Sequence, residues 1–114
     1  MKNIYIPLQD GIRTLIPDEI IYLETYNNIT VLYYKSGETE NIEYTVGDIE
    51  MILFDKGFFR FNYKCIVNLK YVQMVLPDNS SKVILENGKE IFVTQNRRAE
   101  LYKSLEKMYE MVSC

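Results

Sequence analysis

The sequence predicts a mostly β, antiparallel domain with one short internal helix and one C-terminal helix. Three observations lead there. Short apolar segments alternate with polar residues and are bounded by turn dipeptides. The chain holds ten Tyr and five Phe with no Trp, a strand-favouring aromatic set. Helical spacing of apolar residues occurs in only two places, around residues 46–53 and 97–112.

The opening segment KNIYIPL alternates at Ile4 and Ile6, and Gly11 interrupts it. Arg13–Ile16 reads as a second short strand ended by Pro17. EIIYLETY (19–26) is strand-like, and Asn27–Asn28 marks a turn before ITVLYYK (29–35). Ser36–Gly37 predicts a hairpin into TENIEY (39–44). Thr45 is placed to cap a helix over VGDIEMILF, with Val46, Ile49, Ile52 and Leu53 on one face and Gly57 as its stop. Val72–Leu76 reads as a strand ended by Pro77, followed by the loop DNSS. SKVILE and KEIFVT flank Asn87–Gly88, a strong hairpin signal. Leu101, Leu105, Met108 and Val112 recur at helical spacing, which predicts a helix over Arg97–Val112.

Size and composition narrow the function classes. A chain of 114 residues supports one domain, 1–114, with a single core. Its apolar runs are far shorter than a membrane span, and the N-terminus lacks the pattern of a signal peptide. Cys65 and Cys114 make no disulfide framework and suit reduced thiols, so a cytoplasmic location is expected. Histidine is absent, which excludes Ser-His and Cys-His nucleophile pairs and His-based zinc sites. The five glycines are scattered singly, so there is no phosphate-cradling loop. The expectation is a protein that is not an enzyme, with no catalytic residues, no metal and no cofactor.

Charge is unevenly placed. Residues 1–55 hold 3 basic and 10 acidic side chains, whereas residues 56–114 hold 10 and 6. Lys56 to Pro77 (KGFFRFNYKCIVNLKYVQMVLP) contains no acid at all. A local basic field steers a polyanion to one face even when the net charge, here −3, is negative.

Four pieces of the chain then carry a family pattern in order. EIIYLET supplies Ile20, Tyr22 and Glu24, shifted by one extra apolar residue; DIEMIL is a short helix; Phe59–Arg60 is followed by Ile66-Val67-Asn68 and Val72; and the Asn-Gly hairpin leads into IFVT and a helix. The chain resembles the LytTR-type DNA-binding domain of bacterial response regulators and small stand-alone transcription factors, over about residues 4–106. It departs where the family often shows R-x-H-R-S, since Arg60 is followed here by Phe61, Asn62, Tyr63, Lys64 and Cys65. Thr94 and Gln95 also stand where the family has Ser-Arg.

The resemblance implies an elongated antiparallel β fold that lays inter-strand loops, rather than a recognition helix, into successive major grooves. It implies three DNA-facing patches: Asn27, Asn28 and Thr30; Arg60, Asn62, Tyr63 and Lys64; and Gln95, Asn96, Arg97 and Arg98. These residue types suit the task, because Asn and Gln read adenine, Arg and Lys read guanine, and cations and hydroxyls hold phosphates. Asn68, by contrast, reads as a cap for backbone groups after a buried Ile-Val pair.

The implied function is sequence-specific regulation of transcription on double-stranded DNA with repeated half-sites, bound as a weak homodimer formed on DNA. No receiver sequence lies within these residues, so regulation is expected through abundance or a regulatory protein partner, a receiver domain or a membrane protein. Two alternatives compete. A protein-interaction module would use the acidic face and the C-terminal helix, with Tyr102 and Tyr109 extending its seam. A single-strand or RNA binder would stack bases on Phe58, Phe59 and Phe61.

Overall fold

Among the residues described by a computed structural model of the chain (3–77, 79–110 and 112), ten strands form three antiparallel sheets. Asp78, in the expected DNSS loop, and Cys114 lie outside that set. β1 (Ile4–Leu8) and β2 (Gly11–Leu15) make a two-stranded hairpin. The central sheet contains β3 (Ile20–Tyr26), β4 (Ile29–Tyr34), β5 (Thr39–Ile42), β6 (Phe58–Arg60) and β7 (Cys65–Asn68), in the order β5-β4-β3-β7-β6. The third sheet runs β10-β9-β8, from Glu90–Phe92, Lys82–Leu85 and Val72–Val75. Helix α1 (Val46–Ile52) joins β5 to β6, and α2 (Arg98–Met108) follows β10. The extents are 52 × 28 × 24 Å, so the fold is elongated as expected.

The extra apolar residue in EIIYLET has a structural role. It lies where the β3–β4 register shifts, between Ile20 and Tyr22. A bulge places two successive residues out of strict alternation. Ile20 and Leu23 therefore join one core, while Ile21 and Tyr22 both join the other. The first core packs the β1–β2 hairpin and α1 on one face of the central sheet, through Ile6, Leu15, Ile49 and Leu53. The second packs the third sheet and α2 on the opposite face, through Val83, Leu85, Ile91, Leu101 and Leu105.

Local signals explain the connections. The Thr45 side chain accepts from the Asp48 amide at 3.2 Å, capping α1, and Gly57 takes φ 85° after it. Asn27 adopts φ 57° in the two-residue β3–β4 turn, a conformation that Asn tolerates better than most residues. The Asn87–Gly88 hairpin forms, but as a three-residue turn. The Gly88 amide donates to the Leu85 carbonyl, the Leu85 amide to the Lys89 carbonyl, and only Gly88 is left-handed. That is a type I turn closed by a glycine bulge rather than the tighter two-residue form.

Asn68 is fully buried and ties three segments together. Its Nδ2 donates to the Pro17 carbonyl at 3.1 Å and the Ile20 carbonyl at 3.0 Å, and its Oδ1 accepts from the Lys70 amide. The chain leaving β7 is thereby anchored to the chain entering β3.

The final helix is shorter than its apolar spacing predicts. It ends at Met108, and Tyr109 is extended, with its hydroxyl donating to the Leu69 carbonyl. Leu101 and Leu105 are core, but Met108 and Val112 are exposed. Docking Tyr109 on the segment after β7 draws the chain out of the helix, so the predicted stripe is only half used. Phe59 and Phe61 are buried and pack edge-on at 6.0 Å, and Phe58 packs on the first core. None of the three is an exposed platform for a base.

Under β3 and β7 lies a polar seam. The Tyr22 and Tyr33 rings stack at 4.3 Å, and the Cys65 thiol donates to the Glu24 carboxylate at 3.7 Å. Burial and then the Glu24 charge push the Tyr22 hydroxyl up to about 12 and the Cys65 thiol up to about 11. Burial and a hydrogen bond to Glu24 raise Tyr33 as well.

Asn68→Ala should lower unfolding free energy by about 2–3 kcal/mol in urea titrations with an unchanged m value, because buried carbonyls lose their donor. Alkaline stability follows from Cys65. The folded thiol holds its proton to about 11 while an unfolded one ionises near 9, so its contribution is complete below about pH 9 and is lost as pH rises through 11. Wild type should therefore lose more stability than Cys65→Ser between about pH 8 and about pH 10.5, measured by urea midpoints.

Candidate nucleic-acid interface

The three patches expected at DNA lie far apart in sequence, and backbone pairing brings their tips together. Antiparallel pairing of β3 with β7 sets Glu24 opposite Cys65, and the Thr25 amide donates to the Lys64 carbonyl at 2.9 Å. The β3–β4 turn at Asn27–Asn28 thus stands beside the β6–β7 loop. That loop closes on itself, with the Phe61 amide donating to the Cys65 carbonyl. The Thr94 amide donates to the Phe61 carbonyl at 3.0 Å, which brings the turn before α2 alongside.

Asn62 holds this arrangement from within. Its Oδ1 accepts from the Lys64 and Cys65 amides, both at 3.0 Å, and its Nδ2 donates to the Phe92 carbonyl at 2.7 Å. Its side chain makes three hydrogen bonds to the backbone and it is only 8% exposed. The expectation that Asn62 contacts DNA is therefore corrected: it shapes the loop and joins that loop to β10. An Asx-type turn captures the side chain before any ligand can.

Thr30 and Arg98 are corrected for related reasons. Thr30 is 0% exposed and its hydroxyl donates to the Tyr44 carbonyl at 2.7 Å. Arg98 is 4% exposed and turns away from the loop, donating to the Leu76 carbonyl at 3.0 Å and reaching the Tyr102 hydroxyl. A guanidinium this buried serves to hold α2 on the third sheet.

Arg97 does fold back. Its Nε donates to the Arg60 carbonyl at 3.0 Å, its guanidinium lies 4.5 Å from the Phe59 ring centre, and its Nη1 faces Glu100 at 3.3 Å. Arg60 braces the β6–β7 loop, with Nε donating to the Asn62 carbonyl and Nη2 to the Tyr63 carbonyl. Lys64 is partly exposed above the Tyr26 ring, with Glu24 at 3.9 Å. Asn28, Gln95 and Asn96 are exposed, and Tyr63 is 77% exposed.

Arg60, Asn62, Tyr63, Thr94, Asn96 and Arg97 line one shallow depression together with Glu50. Glu50 sits on the exposed face of α1, and its Oε1 is 3.4 Å from Arg60 Nη1. Its place here has no local sequence signal, because the turn between α1 and β6 decides it. The exposed tips offer amide, phenol, ammonium and guanidinium groups, a set suited to base edges and phosphates. No group of three or more His, Cys, Asp or Glu among the described residues could hold a metal ion.

Comparison with known proteins gives the family and the fold. The LytTr DNA-binding domain family matches residues 10–106. Among solved structures, the LytTr DNA-binding domain of a putative methyl-accepting/DNA response regulator from Bacillus cereus superposes with a TM-score of 0.72 at 22% identity, covering 92% of this chain and 97% of that one. No curated protein matches. With most of its length matched and its strands, helices and loops in the family's order, the chain belongs to the LytTR family of DNA-binding domains.

Proposed function

We propose that this chain regulates transcription by binding duplex DNA through the end of the molecule where the three turns meet. The observation that carries the reading is the clustering itself. Thr25–Lys64, Phe61–Thr94 and Arg60–Arg97 hydrogen bonds align turns from residues 27–28, 61–64 and 95–97 into one exposed polar edge. Asn28, Gln95 and Asn96 are suited to base edges there, and Tyr63, Lys64 and Arg97 to the backbone. Arg60 contributes through its outer nitrogen while its other donors brace the loop. Thr30, Asn62 and Arg98 act behind the edge by fixing its shape.

Turn tips, rather than a helix, enter the groove in this reading. A major groove about 12 Å wide admits such a two-stranded element. Two copies would occupy repeated half-sites as a weak homodimer formed on DNA. Input would come from a regulatory protein partner, a receiver domain or a membrane protein, with the chain acting in the cytoplasm. No helix among the described residues is long and apolar enough to cross a membrane.

Mobility-shift titrations on promoter fragments should show affinity falling with salt at a log–log slope of about −2 to −4, near −0.9 for each phosphate neutralised. A flat dependence would contradict the reading. Lys64→Ala should weaken binding to all duplexes alike and reduce that slope by about 0.9. Asn96→Ala should leave the melting temperature unchanged and cost up to about 3 kcal/mol on the preferred sequence. Arg98→Ala should behave oppositely, lowering the melting temperature first.

A further inference from the structure

Every cation at the proposed DNA edge has a carboxylate beside it, and one of these carboxylates comes from an element with no other part in the edge. Lys64 faces Glu24 from its neighbouring strand, and Arg97 faces Glu100 one helical turn away. Arg60 faces Glu50, ten residues earlier on α1. Two of the Arg60 donors are spent on the Asn62 and Tyr63 carbonyls. Nη1 is the nitrogen turned toward Glu50 and the shared depression.

The pair is loose. At 3.4 Å it is longer than the roughly 2.7–2.9 Å of a strong charge-assisted bond, and the Glu50 side chain is nearly half exposed. By contrast Arg13 and Glu40 stand 2.5 Å apart elsewhere in the fold. A loose, solvated carboxylate at the outer nitrogen of an arginine occupies the place where a phosphate oxygen would sit. It is also a like charge to any phosphate entering the depression lined by Tyr63, Asn96 and Arg97.

We infer that Glu50 is an internal competitor for phosphate at Arg60, a charge gate that holds down sequence-independent DNA affinity. The inference rests on the DNA-binding reading above. Placing a repulsive group at a binding surface raises selectivity by penalising contacts that the correct site can offset elsewhere. On a random duplex the Glu50 carboxylate keeps its place at Nη1; only on the preferred duplex, where other contacts offset the cost, does a phosphate displace it, leaving the freed carboxylate in solvent beside the backbone. No bond other than hydrogen bonds and ion pairs changes.

The test uses the full chain, a random-sequence duplex of about 30 base pairs (three helical turns) and fluorescence anisotropy across a salt series. Glu50→Gln keeps the shape of the side chain and removes its charge. Glu38→Gln removes the same charge from the exposed β4–β5 turn, where Glu38 pairs with Tyr34 at the other end of β4, roughly 20 Å from Asn28 at about 3.3 Å per residue. Glu50→Gln should bind the random duplex roughly two- to fivefold tighter at low salt. Its log–log salt slope should be steeper by about 0.9, one additional phosphate. Glu38→Gln should match the unaltered chain in slope, because a distant charge is screened. Equal shifts for both variants, an unmoved slope for Glu50→Gln, or weaker binding by it would overturn the gate. If the unaltered chain binds no duplex, the DNA-binding reading itself falls. If it binds and Glu50→Gln leaves the slope unchanged, only the gate falls.

Discussion

Strand β3 is hydrogen-bonded along both edges and covered on both faces, and most of the architecture follows from that constraint. A strand so enclosed must divide its side chains between two cores. Here it does so through the bulge after Ile20, which turns Ile20 and Leu23 toward α1 and the first hairpin, and Ile21 and Tyr22 toward the third sheet and α2. The register that results with β7 fixes Glu24 opposite Cys65 and Tyr22 opposite Val67. From that pairing the β6–β7 loop inherits its position beside the Asn27–Asn28 turn. Two layers pack against a shared sheet, and the turns at one end of the sheet are left facing solvent.

Polar side chains then decide which of those turns is rigid. Asn68 and Asn62 perform the same service at opposite ends of β7, each accepting from backbone amides two or three residues ahead and donating to a distant strand or turn. An amide side chain can do this because it carries both donors and acceptors. One lies under the β3 entry and the other under the proposed DNA edge. The edge is thus held by backbone geometry and buried amides, while Asn28, Tyr63, Gln95 and Asn96 project from it exposed and Lys64 lies beside Glu24. Arg60 and Arg97 are intermediate, each spending part of its guanidinium on loop carbonyls.

The acid-free run from Lys56 to Pro77 looks in one dimension like a basic strip. In three dimensions Arg60, Lys64 and Lys70 each meet a carboxylate supplied by the acidic first half: Glu50, Glu24 and Asp18. The local field is therefore far more moderate than the count of charges suggests. Under the proposed function that moderation would favour discrimination between sequences, since unopposed cations bind every duplex alike.

Much of the fold was legible in the residues themselves. Turn dipeptides placed the hairpins, Thr45 and Gly57 bounded α1, and the order of short motifs pointed to the family. The extra apolar residue of EIIYLET was visible, though its consequence as a bulge was not. The strand at Cys65–Asn68 carried no alternation, because a strand covered on both faces has none to show, and Phe58–Arg60 is too short to display a period. At the interface the residue types were readable but their assignments were not. Thr30, Asn62 and Arg98 have the chemistry of DNA contacts and were taken up by partners at sequence separations of 14, 30 and 22. Glu50 entered the site from a helix with no local reason to be there. Local spacing and turn chemistry determined which elements form, since those depend on neighbouring residues. Which polar groups stay free for a ligand was decided only by tertiary structure, because a side chain is committed or spared by whatever donor or acceptor the distant chain brings within about 3 Å.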